Sequence, residues 1–137
     1  MSGDLKTYLK DEFKWKNRII FVFAESFEDQ NYKKQLDHIK KHRDGYKDRD
    51  LVIFKIVGDS IIDAELQNLE SIQPSELRAA FGIKPQQFRS LLIGKDGGVK
   101  ILSRKPISAC DLFNLIDQMP MRREEIKAKG DAISCKP

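Results

Sequence analysis

Cysteine is the first thing this chain is short of. Its 137 residues hold two, Cys110 and Cys135, with neither C-x-x-C spacing nor the density of a disulfide framework or a zinc site. Long apolar runs are missing as well. The longest, Ile19 to Ala24, falls far short of the roughly 20 residues a membrane-spanning helix needs, so no membrane span is expected. Met1 to Lys6 carries no apolar signal-peptide core; the chain reads as cytoplasmic as it stands, and as exported if such a segment has been removed. The two histidines, His38 and His42, are four apart on one predicted helix and lack a third ligand, which reads as solvated surface and gives no metal site. No cofactor is implied. A dominant charge sign is also absent. Lysine plus arginine total 25 against 21 acidic residues, a net charge of +4. The lysines from Lys33 to Lys41 are interrupted by Asp37 and followed by Asp44, Asp48 and Asp50, with no aromatic platform, so nucleic acid is not an expected partner.

What is present is enough for one packed domain. Hydrophobic residues make up 40% and charged residues 34%, a globular composition with a charged surface. Leu5, Tyr8, Leu9, Glu12 and Phe13 fall at helical spacing ahead of Trp15, predicting a short amphipathic helix with Trp15 as its anchor. Arg18 to Ala24 is β-branched and aromatic without alternation, the pattern of a strand buried on both faces. Tyr32, Leu36 and Ile39 predict a surface helix from Gln30 to about Asp44, ending near Gly45. Asp50 to Val57 repeats the buried-strand pattern, so strand, helix and strand form a parallel crossover. Gly58 to Pro74 has no period and reads as an irregular loop. Ser75 is placed to cap a short helix that Gly82 closes. Phe88 to Ile93 is the next strand, joined by Gly94-Lys95-Asp96-Gly97-Gly98 to Val99 to Leu102 as a hairpin in which Gly97 or Gly98 takes positive φ. Ile107 to Met119 forms the last packed helix. Beyond Pro120 a further turn is expected before a frayed tail over 127–137.

The fold class expected is α/β: a three-layer sandwich on a mixed sheet with a parallel βαβ half and an antiparallel ββα half, the thioredoxin-like order. Four stretches carry a closer resemblance: Trp15-Lys16-Asn17-Arg18, Arg49-Asp50-Leu51-Val52, Leu91 through Lys100, and Ile116 through Glu125. In these the chain resembles a peroxiredoxin-like, thioredoxin-fold family catalogued as domain of unknown function 4174, over about Leu9 to Ile126. That resemblance implies a single domain, found as small bacterial proteins and as modules of animal sushi-repeat and coiled-coil-containing matrix proteins, and it brings no established activity.

A redox-active thioredoxin or peroxiredoxin keeps its nucleophilic cysteine between the first strand and the next helix. Here that stretch is Glu25-Ser26-Phe27-Glu28-Asp29-Gln30, sulfur-free and acidic enough to raise the pKa of any thiol placed there. Arg89 stands about where thioredoxins keep a proline. The chain therefore reads as a cysteine-less interaction or scaffold module with an unknown protein partner. The alternative is an atypical thiol oxidoreductase or peroxidase using Cys110, whose place in the first turn of a helix would favour a thiolate, against inert packing. Met121, Arg122 and Arg123 are the candidate binding residues, since methionines beside guanidinium groups suit an adaptable edge. The plainer reading has Arg122 and Arg123 paired with Glu124, Glu125 or the sheet. The glycines at 94–98 join two strands and do not open a helix, so they read as a turn and not as a phosphate cradle.

Overall fold

The computed structural model describes residues 11–62 and 72–135. Five strands make one mixed sheet: β1 (Arg18–Ala24), β2 (Leu51–Val57), β3 (Ser60–Ile62), β4 (Arg89–Ile93) and β5 (Val99–Ser103), in the order β3-β2-β1-β4-β5. β1 lies at the centre, parallel to β2 with Phe21 opposite Phe54, and antiparallel to β4 with Ile20 opposite Leu92. All seven of its residues are buried, because both faces of the sheet are covered. The α/β architecture and the parallel pairing are as the sequence predicts.

Alternation along β1 divides the interior in two. Ile20, Val22 and Ala24 face a core that includes Tyr32 and Ile39 of α1 (Gln30–Lys41), Tyr46 of α2 (Arg43–Asp48) and Leu112, Phe113 and Ile116 of α4 (Ala109–Asp117). Ile19, Phe21 and Phe23 face a second core with Phe13, Phe54, Ile83 and Leu77 of α3 (Pro74–Phe81). α5 (Pro120–Lys129) follows α4. None of the described helices is long and apolar enough to cross a membrane.

Several boundaries differ from the sequence reading, each for a packing reason. The first helix stops at Lys41 and restarts at Arg43, so Gly45 is inside α2 and terminates nothing. A side chain there would overlap the ring of Phe113, so close packing, not a turn, demands the glycine. Gln73, not Ser75, caps α3, with Pro74 in its first turn and Gly82 closing it at φ 67°. β3 adds a short antiparallel edge to β2 inside what reads as loop; residues 63–71 of that loop are outside the described part. The predicted opening helix mostly falls there too, at Leu5, Tyr8 and Leu9. Trp15 is 59% exposed and lies outside the core, where Phe13, 6% exposed, takes the buried position. The chain is left-handed at Trp15, with φ 69°, its amide donates to the Lys95 carbonyl at 2.6 Å, and the Lys14 ammonium lies 5.2 Å from the ring. Nor is the end frayed as far as residue 135. α5 runs ten residues to Gly130, and the chain then returns to α4, where Cys135 is joined to Cys110.

The glycine-rich segment connects β4 to β5 and opens no helix. The Gly97 amide donates to the Gly94 carbonyl at 3.0 Å and that of Gly98 to the Asp96 carboxylate at 2.9 Å, with Gly97 at φ +85°. Gly98 has no such requirement, and a Cβ there would meet only the movable tips of Asp96 and Lys100. Gly97→Val is expected to cost about 1–2 kcal/mol in denaturant unfolding, and Gly98→Val clearly less. Equal losses for the two variants would contradict this turn geometry.

Candidate functional site

Two ends of the sheet hold unusual polar groups. At the carboxyl end of β1, the turn into α1 is the place where the resemblance puts a redox cysteine. Its chemistry is that of a helix cap: the Asp29 carboxylate accepts from the Tyr32 amide at 3.0 Å, and Phe27, half exposed, meets the Tyr32 ring edge-on. A cleft of about 450 Å³ opens beside it between Glu25, Asp59, Pro74, Arg78 and Ile83. Arg78 of α3 is buried there, donating to the Ala24 carbonyl at 3.3 Å while its Nε has no hydrogen-bond partner. Arg89 donates to the Phe88 carbonyl at 2.6 Å. A guanidinium and two carboxylates can orient a polar group, and among the described residues lining this cleft there is no cysteine.

At the opposite end, three arginines are buried almost completely: Arg18, Arg49 and Arg122, at 1%, 0% and 0% exposure. An unpaired charge so placed would cost several kcal/mol, and each is met by carboxylates and carbonyls. Arg18, the first residue of β1, forks onto Glu125 at 3.2 Å through both terminal nitrogens and donates to the Arg49 carbonyl at 3.0 Å. Arg49 forks onto Asp117 at 3.0 and 2.7 Å, donates to the Gly45 and Ile133 carbonyls, and lies 3.8 Å from the centre of the Phe113 ring. Arg122 bridges Asp117 at 2.9 Å and Asp48 at 2.6 Å. Lys95 pairs with Asp50 at 2.8 Å and Glu125 at 2.7 Å, and Lys129 with Asp48 at 3.0 Å. The cluster joins the starts of β1 and β2, the hairpin, the end of α4, α5 and the tail.

Two of its carboxylates, Asp48 and Glu125, are held ionised. Burial pushes Asp48 up, but hydrogen bonds from Arg122, the Ile133 amide and Lys129 outweigh it and bring the group to about 2. Burial likewise opposes Glu125, and Arg18 and Lys95 bring it to about 2. Arg122 is raised above its ordinary value: burial works against its charge, and Asp117 and Asp48 prevail.

The structure separates the three candidate binding residues. Arg122 points inward, whereas Met121, 38% exposed, and Arg123 are at the surface beside a cleft of about 740 Å³ that also includes Pro120 and Ile126. Cys110 is not a free thiol but is bonded to Cys135, with Cα atoms 5.2 Å apart. A pairing across 25 residues leaves no local spacing to read. His42 packs edge-on against Phe113, and among the described residues no acidic, histidine or cysteine cluster could hold a metal ion. The pairing of Arg122 with Glu125 that the sequence offered is present at 3.3 Å; sequence reasoning missed the roles of Arg18, Arg49, Lys95 and Asp117, although every one stands in a stretch that carries the family resemblance. A charged residue at the first position of a buried strand is the signal that could have found Arg18.

The profile of a family described as "Domain of unknown function (DUF4174)" matches residues 9–125. The zebrafish (Danio rerio) "Coiled-coil domain-containing protein 80" is 28% identical over 130 residues, 83% of this chain and 15% of that protein. The Xenopus laevis "Sushi repeat-containing protein SRPX2" is 27% identical over 119 residues, 85% of this chain and 26% of that protein. The chain thus spans about a quarter or less of these curated relatives. Both are animal proteins whose names carry the coiled coil and the sushi repeat that the resemblance implies, and its bacterial members are not represented by these two.

Removing one member of the cluster strands its partners. Arg122→Met is expected to cost about 3 kcal/mol in denaturant unfolding. Asp48 and Glu125 have folded-state values below their ordinary 3.8 and 4.5, so their stabilisation is complete above about pH 4.5 and is lost as pH falls toward 2. Acid titration of unfolding should show that decline, and Glu125→Gln should flatten it. An unchanged slope in the variant would contradict the pairing.

Proposed function

This chain belongs to the family described as "Domain of unknown function (DUF4174)", and from that premise we propose that it is a non-enzymatic interaction or scaffold module of thioredoxin-like fold. The observation that carries the reading is where the family-type residues go. Arg18, Arg49, Lys95, Arg122 and Glu125 are consumed in pairing with one another and with Asp48, Asp50 and Asp117. Residues so occupied hold a fold together and leave no group free to react. The fold assignment is supported by the order β2-β1-β4-β5, with one parallel pair followed by antiparallel ones.

Two further observations support a role without thiol chemistry. The turn after β1 presents carboxylates where a nucleophile would stand, and no cysteine among the described residues is free. The disulfide also suits an oxidising compartment. The relatives' names speak of sushi repeats and of a coiled coil, which is the setting of a unit used beside other segments, with a protein partner met through exposed residues such as Met121 and Arg123. The competing reading, a thiol oxidoreductase or peroxidase working through Cys110, has that residue's place in the first turn of α4 in its favour and its bond to Cys135 against it.

Insulin disulfide reduction and peroxide consumption by the purified protein should both run at the rate of a buffer blank. Turnover well above the blank that disappears in Cys110→Ser would overturn the proposal in favour of the enzyme.

A further inference from the structure

The segment after α5 has almost no apolar anchorage, yet it is held in a defined place. From Asp131 to Cys135 it has no regular structure and mostly exposed side chains, with Ile133 45% exposed. Its holds are few: the Ile133 carbonyl accepts from Arg49 at 2.8 Å, the Ile133 amide donates to Asp48 at 3.1 Å, and Cys135 is bonded to Cys110. Beneath it runs a cleft of about 680 Å³ between His42, Gly45 and Phe113 on one side and Asp131 to Ser134 on the other.

We propose that residues 131–135 are a strap latched by the Cys110–Cys135 disulfide, and that thiol–disulfide exchange with a dithiol reductant opens it. One thiolate of the reductant attacks one sulfur, forming a mixed disulfide and expelling the other cysteine as a thiolate. The reductant's second thiolate then displaces the remaining cysteine, leaving the reductant oxidised to a disulfide and both cysteines reduced after protonation. Two hydrogen bonds do not hold five mostly exposed residues without regular structure once the covalent tie is gone. Opening exposes the Phe113 face of the cleft and takes one carbonyl from Arg49. The body of the domain keeps its place, because Arg18, Arg122 and Lys95 hold α5 through Glu125, Asp117 and Asp48 without using the strap.

The test compares the oxidised protein, the protein reduced with dithiothreitol and alkylated, and Cys135→Ser. Alkylation should add no mass before reduction and two alkyl groups after it. Reduction or the substitution should raise tryptic cleavage after Lys129 by about ten-fold or more, since cutting follows the open population. Amide exchange should rise over 131–135 while β1 keeps its protection. Three results would each overturn the proposal: free thiols in the protein as purified, cleavage and exchange unchanged after reduction, or loss of β1 protection together with the strap, which would make the disulfide a support of the whole fold.

Discussion

A charge taken out of water must find an opposite charge, and three guanidinium groups at one end of this sheet impose that condition on everything around them. Arg18 and Arg49 begin or precede the two parallel central strands, so their positions are fixed by the sheet. Their partners are not: Glu125 and Asp117 come from the last two helices and reach the arginines only if α5 packs across the starts of β1 and β2. The arginines therefore fix the placement of α5. A helix as polar as α5, with Arg122 its only buried residue, has little else to place it.

That arrangement distributes roles between the two ends of the sheet. The end built from the starts of β1 and β2 is saturated with ion pairs and serves stability and specificity of packing. The end built from their finishes is where open α/β sheets commonly bind ligands, and there the chain has a helix cap, a buried Arg78 and a modest cleft, without a thiol. The Cys110–Cys135 bond belongs to neither end; it fixes the tail to α4 beside the ion pairs.

Much of the fold could be read from the residues. Two unalternating apolar runs gave β1 and β2, glycines and Asp96 gave the hairpin, and the stripe Ala109, Leu112, Phe113 and Ile116 gave α4. What escaped depended on distance in sequence. Gly45 looks like a stop because nothing local announces Phe113, 68 positions later. Arg122 and Arg123 look alike in sequence, and only the helix turn that directs Arg122 inward separates them. Cys110 and Cys135 pair through a return of the tail that no spacing rule describes. Short β3 lacks the length for a strand signal. The ion cluster was visible only as four stretches of familiar residues, because charge pairing between a strand start and a late helix has no period.

The central claim is that these charged residues act as one structural lock. It is tested most directly by a double-mutant cycle on Arg18 and Glu125, using Arg18→Met, Glu125→Leu and the pair, with unfolding free energy as the readout. The account predicts a coupling of about 1 kcal/mol or more, with the double variant losing much less than the sum of the two single changes. Coupling within about 0.3 kcal/mol of zero would contradict it.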